Sequence, residues 1–373
     1  MPSPDVLIVG AGIVGAACAR ALASEGLSVE VLDSRFCGSG STAAAMGHLV
    51  VMDDSEAQFA LTARSRRLWA DLSADLPRAC EDERTGTLWI AADEEEMAHV
   101  RRKAAFYRER GVEVEELDAA ALAAAEPRLR RGLAGALRVP ADRVLYPVNA
   151  ARFLLEQAQA RGASRREGVE ATSIGPGRVE TPAGSRSAKF IVNAAGVAAP
   201  LLTPGLPIAP RKGHLVITDR YPEFCRHQLV ELGYLKSAHT PSPESVAFNL
   251  QPRATGQMLL GSSREFVGLD GSINRRIRAR MIRRGLEFMP ELADLSAIRT
   301  WVGFRPATPD NLPLIGRWEA TPDLFVAAGH EGLGVTTALA TGELIADAIV
   351  GRPSAIDPSP YAPMRAFPQP AHA

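Results

Sequence analysis

The stretch VLIVGAGIVGAACARALASEGLSVEVLD, residues 6–33, leaves a chain few ways to fold. Val6 to Val9 are an apolar run short enough for a buried parallel strand. Gly10, Gly12 and Gly15 follow in GxGxxG spacing, a helix of small residues runs to Gly26, and a second strand ends at Asp33. Strand, glycine turn, helix and strand in that order make a βαβ unit that binds dinucleotides. Gly10 permits the tight turn, Gly12 removes a side chain that would block a pyrophosphate, and Gly15 lets helix and strand approach closely. The helix N-terminus supplies N–H groups and a favourable dipole for phosphates, and Asp33 would accept hydrogen bonds from a ribose. This unit alone does not separate FAD from NAD.

Two further segments share the same logic. FCGSGSTAAAMGHLV, residues 36–50, is too rich in Gly, Ser and Ala for a packed surface helix; it reads as a close-fitting loop offering N–H groups and hydroxyls beyond the pyrophosphate. DLFVAAGHEGLGVTTALATGELIADAIV, residues 323–350, repeats the order strand, glycine turn, small-residue helix. Just before it, GFRPATPDNLPLIG, residues 303–316, holds Arg305 between an apolar strand and proline punctuation. By itself Arg305 could cap a turn or pair with an acid as readily as bind a ligand.

Charge narrows the classes. Lys and Arg total 42 against 43 Asp and Glu, with no long basic block carrying interleaved aromatics, so nucleic acid is not an expected partner. Gly, Pro, Ser or charge interrupts every apolar run well before the length a spanning helix needs, and the first residues lack a basic leader. The expectation is a soluble, cytoplasmic chain. Cys18, Cys37, Cys80 and Cys225 are far apart and form no CxxC, so neither a disulfide framework nor a metal site is expected.

Between these motifs the pattern changes. Residues 56–79 and 93–111 read as amphipathic helices and 86–92 as a strand; Pro147 starts a helix that Gly162 ends. Residues 211–267 alternate like an antiparallel sheet, and an arginine-rich helix packs through Ile273, Ile277, Met281 and Ile282. The six prolines after residue 351 suggest an extended or partly disordered tail.

GAGIVG with Asp33, STAAAMG, VNAAG, GFRPATPDNLPLIG and GHEGLGVTTALATGELIAD together resemble the FAD-dependent D-amino-acid oxidase superfamily over nearly the whole chain, in its glycine, sarcosine and D-amino-acid oxidoreductase branch. Details look closest to bacterial D-hydroxyproline dehydrogenases and to the flavin subunits of opine dehydrogenase and hydrogen cyanide synthase. The resemblance implies an α/β fold. A Rossmann-like FAD-binding domain, discontinuous in sequence, would take residues 1–80, 140–210 and 315–350. A second domain, a mostly antiparallel sheet plus helices, would take 81–139 and 211–314, leaving 351–373 as the tail.

The resemblance also implies residue roles. Gly10, Gly12, Ile13, Val14, Gly15, Asp33 and Ser34 would hold the ADP half, with the Val169 backbone on the adenine. Ser41, Thr42, Ala45, Met46, Gly47 and His48 would run from pyrophosphate to isoalloxazine, beside Ala194, Gly196 and Gly303. Gly329, His330, Gly332, Leu333, Gly334, Val335 and Thr336 would wrap the ring. Arg305 would bind the substrate carboxylate. Phe248, Asn249, Gln251 and His330 are expected to help form the substrate wall, and His48 and His330 are the candidate acid or base groups, each with a purely structural alternative. Covalent flavin attachment in one subgroup uses a late cysteine; the last cysteine here is Cys225, so FAD is expected to be noncovalent.

The implied chemistry is hydride transfer from Cα–H of a neutral amine to flavin N5, most favoured for D-hydroxyproline or D-proline giving the cyclic imine, with electrons leaving to a quinone or carrier. Partner subunits with an iron–sulfur cluster or second flavin could receive them, and could bring the chain to the inner face of a membrane. The alternatives are a glycine, sarcosine or D-amino-acid oxidase that makes hydrogen peroxide, an opine dehydrogenase subunit, a noncatalytic flavoprotein, and, more weakly, an NAD-dependent dehydrogenase.

Overall fold

A computed structural model describes residues 3–233 and 244–367; prolines 368 and 370 of the tail lie outside the described residues. The first sheet has six strands in the order Leu314–Arg317, Leu324–Ala328, Phe190–Asn193, Val6–Val9, Val29–Asp33, Ser164–Glu167. All neighbours are parallel except the first pair. Side chains alternate between its two buried faces, as a strand period of two requires. Val6, Ile8 and Val31 join a core with helix Ile13–Ser24, which packs between helices Gly334–Val350 and Pro147–Gln159. Leu7, Val9, Leu32 and Ile191 turn to the opposite core beside Val179 of a three-stranded antiparallel sheet.

The second sheet has eight strands, in the order Ala297–Ala307, Ala209–Arg220, Gln257–Glu265, Glu244–Pro252, Gln228–Glu231, Thr87–Ala91, Gly135–Val139, Glu115–Asp118. Its pairs are antiparallel apart from Gln228–Glu231 against Thr87–Ala91. Helix Arg275–Phe288, capped by the Asn274 side chain, covers one face through Ile277, Met281 and Phe288. Ile273 precedes this helix and is exposed, so the apolar stripe begins one turn later than the spacing suggests.

The tail is not loose as far as it is described. Tyr361 is buried and its hydroxyl donates to the Ala57 carbonyl at 2.6 Å, while Arg365 grips Asp310 through two hydrogen bonds of 2.7 and 2.8 Å. Proline content signals the absence of helix and ladder, but the aromatic and the arginine between the prolines decide where the segment lies. Among the described residues, no helix is long and apolar enough to cross a membrane.

Candidate active site

The two sheets meet along a cavity of about 600 Å3. One end is the first glycine turn. Gly10 has φ +109°, and a Cβ on it would come within 2.5 Å of the Ala194 carbonyl oxygen, so only glycine fits. Gly12, Ile13 and Val14 line the cavity with Ala194 and Gly196. Helix Ile13–Ser24 has no side-chain cap from Gly12, and the Ile13 N–H donates to Thr42 Oγ1 at 3.0 Å. Asp33 accepts the Ala11 and Arg35 N–H groups, each at 2.8 Å. A carboxylate has further acceptor sites, so Asp33 and the adjacent Ser34 could still meet a ribose. Val169 lines this end too, but its N–H donates to the Asp33 carbonyl at 2.9 Å. The adenine contact expected of its backbone is thereby reduced to its carbonyl.

The other end is built around Arg305. Gly213 and Gly303 pair directly across the strands Ala209–Arg220 and Ala297–Ala307. A Cβ at 303 would lie 2.5 Å from the Ala44 Cβ, and one at 213 would lie 2.6 Å from Arg305 Nη1. One glycine therefore admits the loop carrying Thr42, Ala45, Met46 and Gly47, and the other admits the guanidinium. Ser41 ties that loop to the same strand by donating to the Phe304 carbonyl at 2.6 Å. Arg305 donates from Nη1 to the Ser263 carbonyl at 2.9 Å and from Nη2 to Ser262 Oγ at 3.2 Å. Two of its five N–H donors are used, and Nε faces Glu331 Oε1 at 3.9 Å. Each terminal nitrogen keeps a donor for a carboxylate.

Helix Gly334–Val350 starts at this end with no side-chain cap, and Gly334 and Val335 line the cavity. Its free N–H groups and positive dipole end favour negative charge there.

Both histidines line the cavity, yet neither is positively charged near neutrality. Burial, helped by the Arg305 charge and opposed by the Gln251 amide, lowers the His48 pKa to about 4. Burial lowers His330 to about 3, and its Nε2 is committed to Thr341 Oγ1 at 3.0 Å. At neutral pH both rings are uncharged, and His330, with Nε2 on Thr341, is the better explained as a structural group. Glu331 is the ionised neighbour. Burial alone would raise its pKa, but Arg264, Arg305 and Arg211, with the Gly332 N–H, more than offset this and hold it below the ordinary value.

Several expected site residues stand behind the cavity wall. Phe248 is fully buried and stacks on Phe288 at 4.9 Å between centroids, on the sheet face opposite Asn249, which does line the cavity. Gln251 shares the Asn249 face but donates to the Met46 carbonyl at 2.9 Å, bracing the loop without lining the cavity. Thr336 donates to the His48 carbonyl at 2.8 Å. Leu333 packs toward the core containing Val50 and Trp89, Gly329 sits against Thr308, and Gly15 faces the Gly10 carbonyl; none of the three lines the cavity. Gly332 does, beside Arg305.

The unforeseen residues are Gly213, Ser262 and Ser263; Glu331 was expected near the ring from the GHEGLG run, without a role. Gly213, a glycine inside a strand pattern, carried a readable signal of close approach. The two serines carried none.

These features fit a long group with phosphates at one end and a polar ring at the other. Two helix N-termini open on one cavity with no side-chain cap from their N-cap residues, the turn between sheet and helix is cleared of side chains, and His48 Nε2 and Asn249 Oδ1 are buried without a hydrogen-bond partner. FAD has this shape and polarity. Residues 5–348 match the family model described as DAO, FAD dependent oxidoreductase. The chain belongs to this family. As a DAO-family enzyme it binds FAD noncovalently and oxidises the CH–NH bond of a small amino or imino acid. All four cysteines are buried, and burial raises the Cys225 thiol well above its ordinary pKa.

Among its relatives, the hydrogen cyanide synthase subunit HcnC of Pseudomonas aeruginosa is 28% identical, covering 98% of this chain and 97% of that protein. The glycine oxidase of Geobacillus kaustophilus is also 28% identical, over 96% of each. The crystal structure of glycine oxidase from that organism superposes with a TM-score of 0.89 at 26% identity, covering 99% of this chain and 100% of that one. L-proline dehydrogenase from P. horikoshii follows at 0.88, also at 26% identity, covering 97% and 98%.

Proposed function

We propose that this DAO-family enzyme oxidises a small acyclic amino acid of the glycine or sarcosine kind and passes the electrons to oxygen. The full-length similarity to glycine oxidase, in both sequence and fold, supports this over the D-hydroxyproline or D-proline dehydrogenase favoured by the motifs alone. The observation that carries the site assignment is Arg305: a guanidinium braced on two sides inside the cavity, with donors left on both terminal nitrogens.

The guanidinium fork takes the substrate carboxylate through two charge-assisted hydrogen bonds, which fixes Cα relative to the rest of the cavity. Bound FAD supplies the two-electron acceptor. The start of helix Gly334–Val350 would favour any negative charge that the reduced group placed beside Gly334 and Val335. No side chain need remove the Cα proton, in keeping with two neutral, buried imidazoles. The amine must be neutral to release the electron pair of its Cα–H bond. The amino acid loses two electrons and two protons to give an imine, oxygen gains them to give hydrogen peroxide, and water hydrolyses the imine to an oxo acid and the free amine.

A cyclic imino acid with a non-oxygen acceptor is the second reading, supported by the similarity to L-proline dehydrogenase. The similarity to the HcnC subunit supports partner subunits as electron acceptors for that reading. Peroxide yield separates the two: the first expects one peroxide per amino acid oxidised in air. Turnover seen only with an artificial acceptor would reject it.

A further inference from the structure

Glu331 sits where the glycine-rich run GHEGLG would suit another glycine. Its φ is +47°, a left-handed conformation that costs a side-chain-bearing residue about 1 kcal/mol or more. The strained backbone is held by its N–H, which donates to the Pro306 carbonyl at 2.9 Å, next to Arg305. The result is a carboxylate that lines the same cavity as Arg305.

Its hydrogen bonding is incomplete. Oε2 accepts the Gly332 N–H at 2.5 Å. Oε1 accepts one long hydrogen bond, from Arg211 Nη1 at 3.5 Å, and lies 3.9 Å from both Arg264 Nε and Arg305 Nε. All three distances exceed those of a strong charge-assisted bond, about 2.7–2.9 Å. The arginines keep the carboxylate ionised without saturating it, so it is an acceptor and a poor proton-abstracting base. An α-amino acid whose carboxylate rests on Arg305 brings its nitrogen, one carbon away, into the neighbourhood of that oxygen.

We propose that Glu331 is the amine-binding residue of the site: Oε1 accepts a hydrogen bond from the substrate amino group while Arg305 takes the carboxylate. The pocket then reads both ends of an α-amino acid and discriminates against plain carboxylates. This inference rests on the amino-acid oxidase reading above.

The test compares a ligand with the amine against one without it. FAD-loaded wild type, E331Q and E331D are titrated with acetate, followed by the flavin difference spectrum. They are then mixed anaerobically with glycine, or with whichever of sarcosine, D-proline and L-proline reduces the flavin faster, to obtain the saturation constant for reduction. The expected result is a saturation constant about tenfold or more weaker in E331Q, the scale of one hydrogen bond to a charged group. E331D should be intermediate, and the acetate constant should stay within twofold. Equal weakening of both ligands would assign Glu331 a structural role and overturn the inference. Tightening of both would make it an internal counter-ion of Arg305 and overturn it as well. If wild type responds to neither acetate nor any of the amino acids, the oxidase reading fails and this inference falls with it.

Discussion

Gly213→Ala asks whether Arg305 is held in place by its surroundings. A Cβ at 213 would stand 2.6 Å from Arg305 Nη1, 3.0 Å from Cζ and 2.9 Å from the Ser263 carbonyl oxygen. The Ser263 backbone must also give slightly, but the guanidinium makes the closest contact and is the end of a side chain, so it moves furthest. Restoring ordinary contact requires a retreat of about 0.8 Å. That retreat stretches the 2.9 Å bond to Ser263, and a hydrogen bond to a charged group contributes about 1.5–3 kcal/mol. Misplacing a positioning group by about 1 Å can cost about 100-fold in rate. The expected outcome is a 10- to 100-fold loss of kcat/KM with the FAD content unchanged, because position 213 is remote from the first glycine turn. Steady-state kinetics with a peroxide-coupled assay, plus the ratio of flavin to protein absorbance, checks both halves. A kcat/KM within twofold of wild type would refute the reasoning that packing around Gly213 sets the guanidinium.

Three further outcomes follow from the same geometry. Arg305→Ala should lower kcat/KM by about 100-fold or more, the cost of losing a partly buried bidentate carboxylate contact, and should abolish the acetate difference spectrum while FAD stays bound. His48→Asn tests linkage: the folded pKa of His48 is about 4 against an ordinary 6.5, so the unfolded chain takes the proton first as pH falls through 6.5. Its contribution is complete above that value and is lost on acidification, by up to about 2 kcal/mol between pH 7 and pH 5. The melting temperature of wild type should therefore fall relative to H48N over that interval; a constant difference would contradict the buried neutral ring. Tyr361→Ala empties an aromatic site in the main core, worth about 3–5 kcal/mol, and should lower the melting temperature by several degrees while leaving the flavin spectrum intact.

What the sequence made legible was local. Turn, helix and strand around Gly10 to Asp33 are specified within residues 6–33, so spacing alone exposes them. Arg305 was legible because proline and glycine flank it on an apolar strand end. Phe248 was misplaced for a physical reason: strand Glu244–Pro252 is buried on both faces from Ala247 to Pro252, so its period of two identifies two sets of side chains without saying which faces the site. Gln251 has the right face, and its amide is spent on Met46, a contact across 205 residues. The Gly213 and Gly303 pairing, and the serines that brace Arg305, depend on strand register, which no local pattern prints. The tail lies along the surface as one of the two expectations had it, but proline content did not reveal the anchors Tyr361 and Arg365 that hold it.

The most direct test of the account is anaerobic mixing of fully FAD-loaded wild type and R305A with glycine, sarcosine, and the D and L forms of proline and hydroxyproline, following the flavin absorbance. The account predicts rapid bleaching of wild type by glycine or sarcosine and loss of that response in R305A. Bleaching by the cyclic amino acids alone would contradict the proposed substrate class, and equal bleaching of wild type and R305A would contradict the assignment of Arg305 as the carboxylate-binding residue.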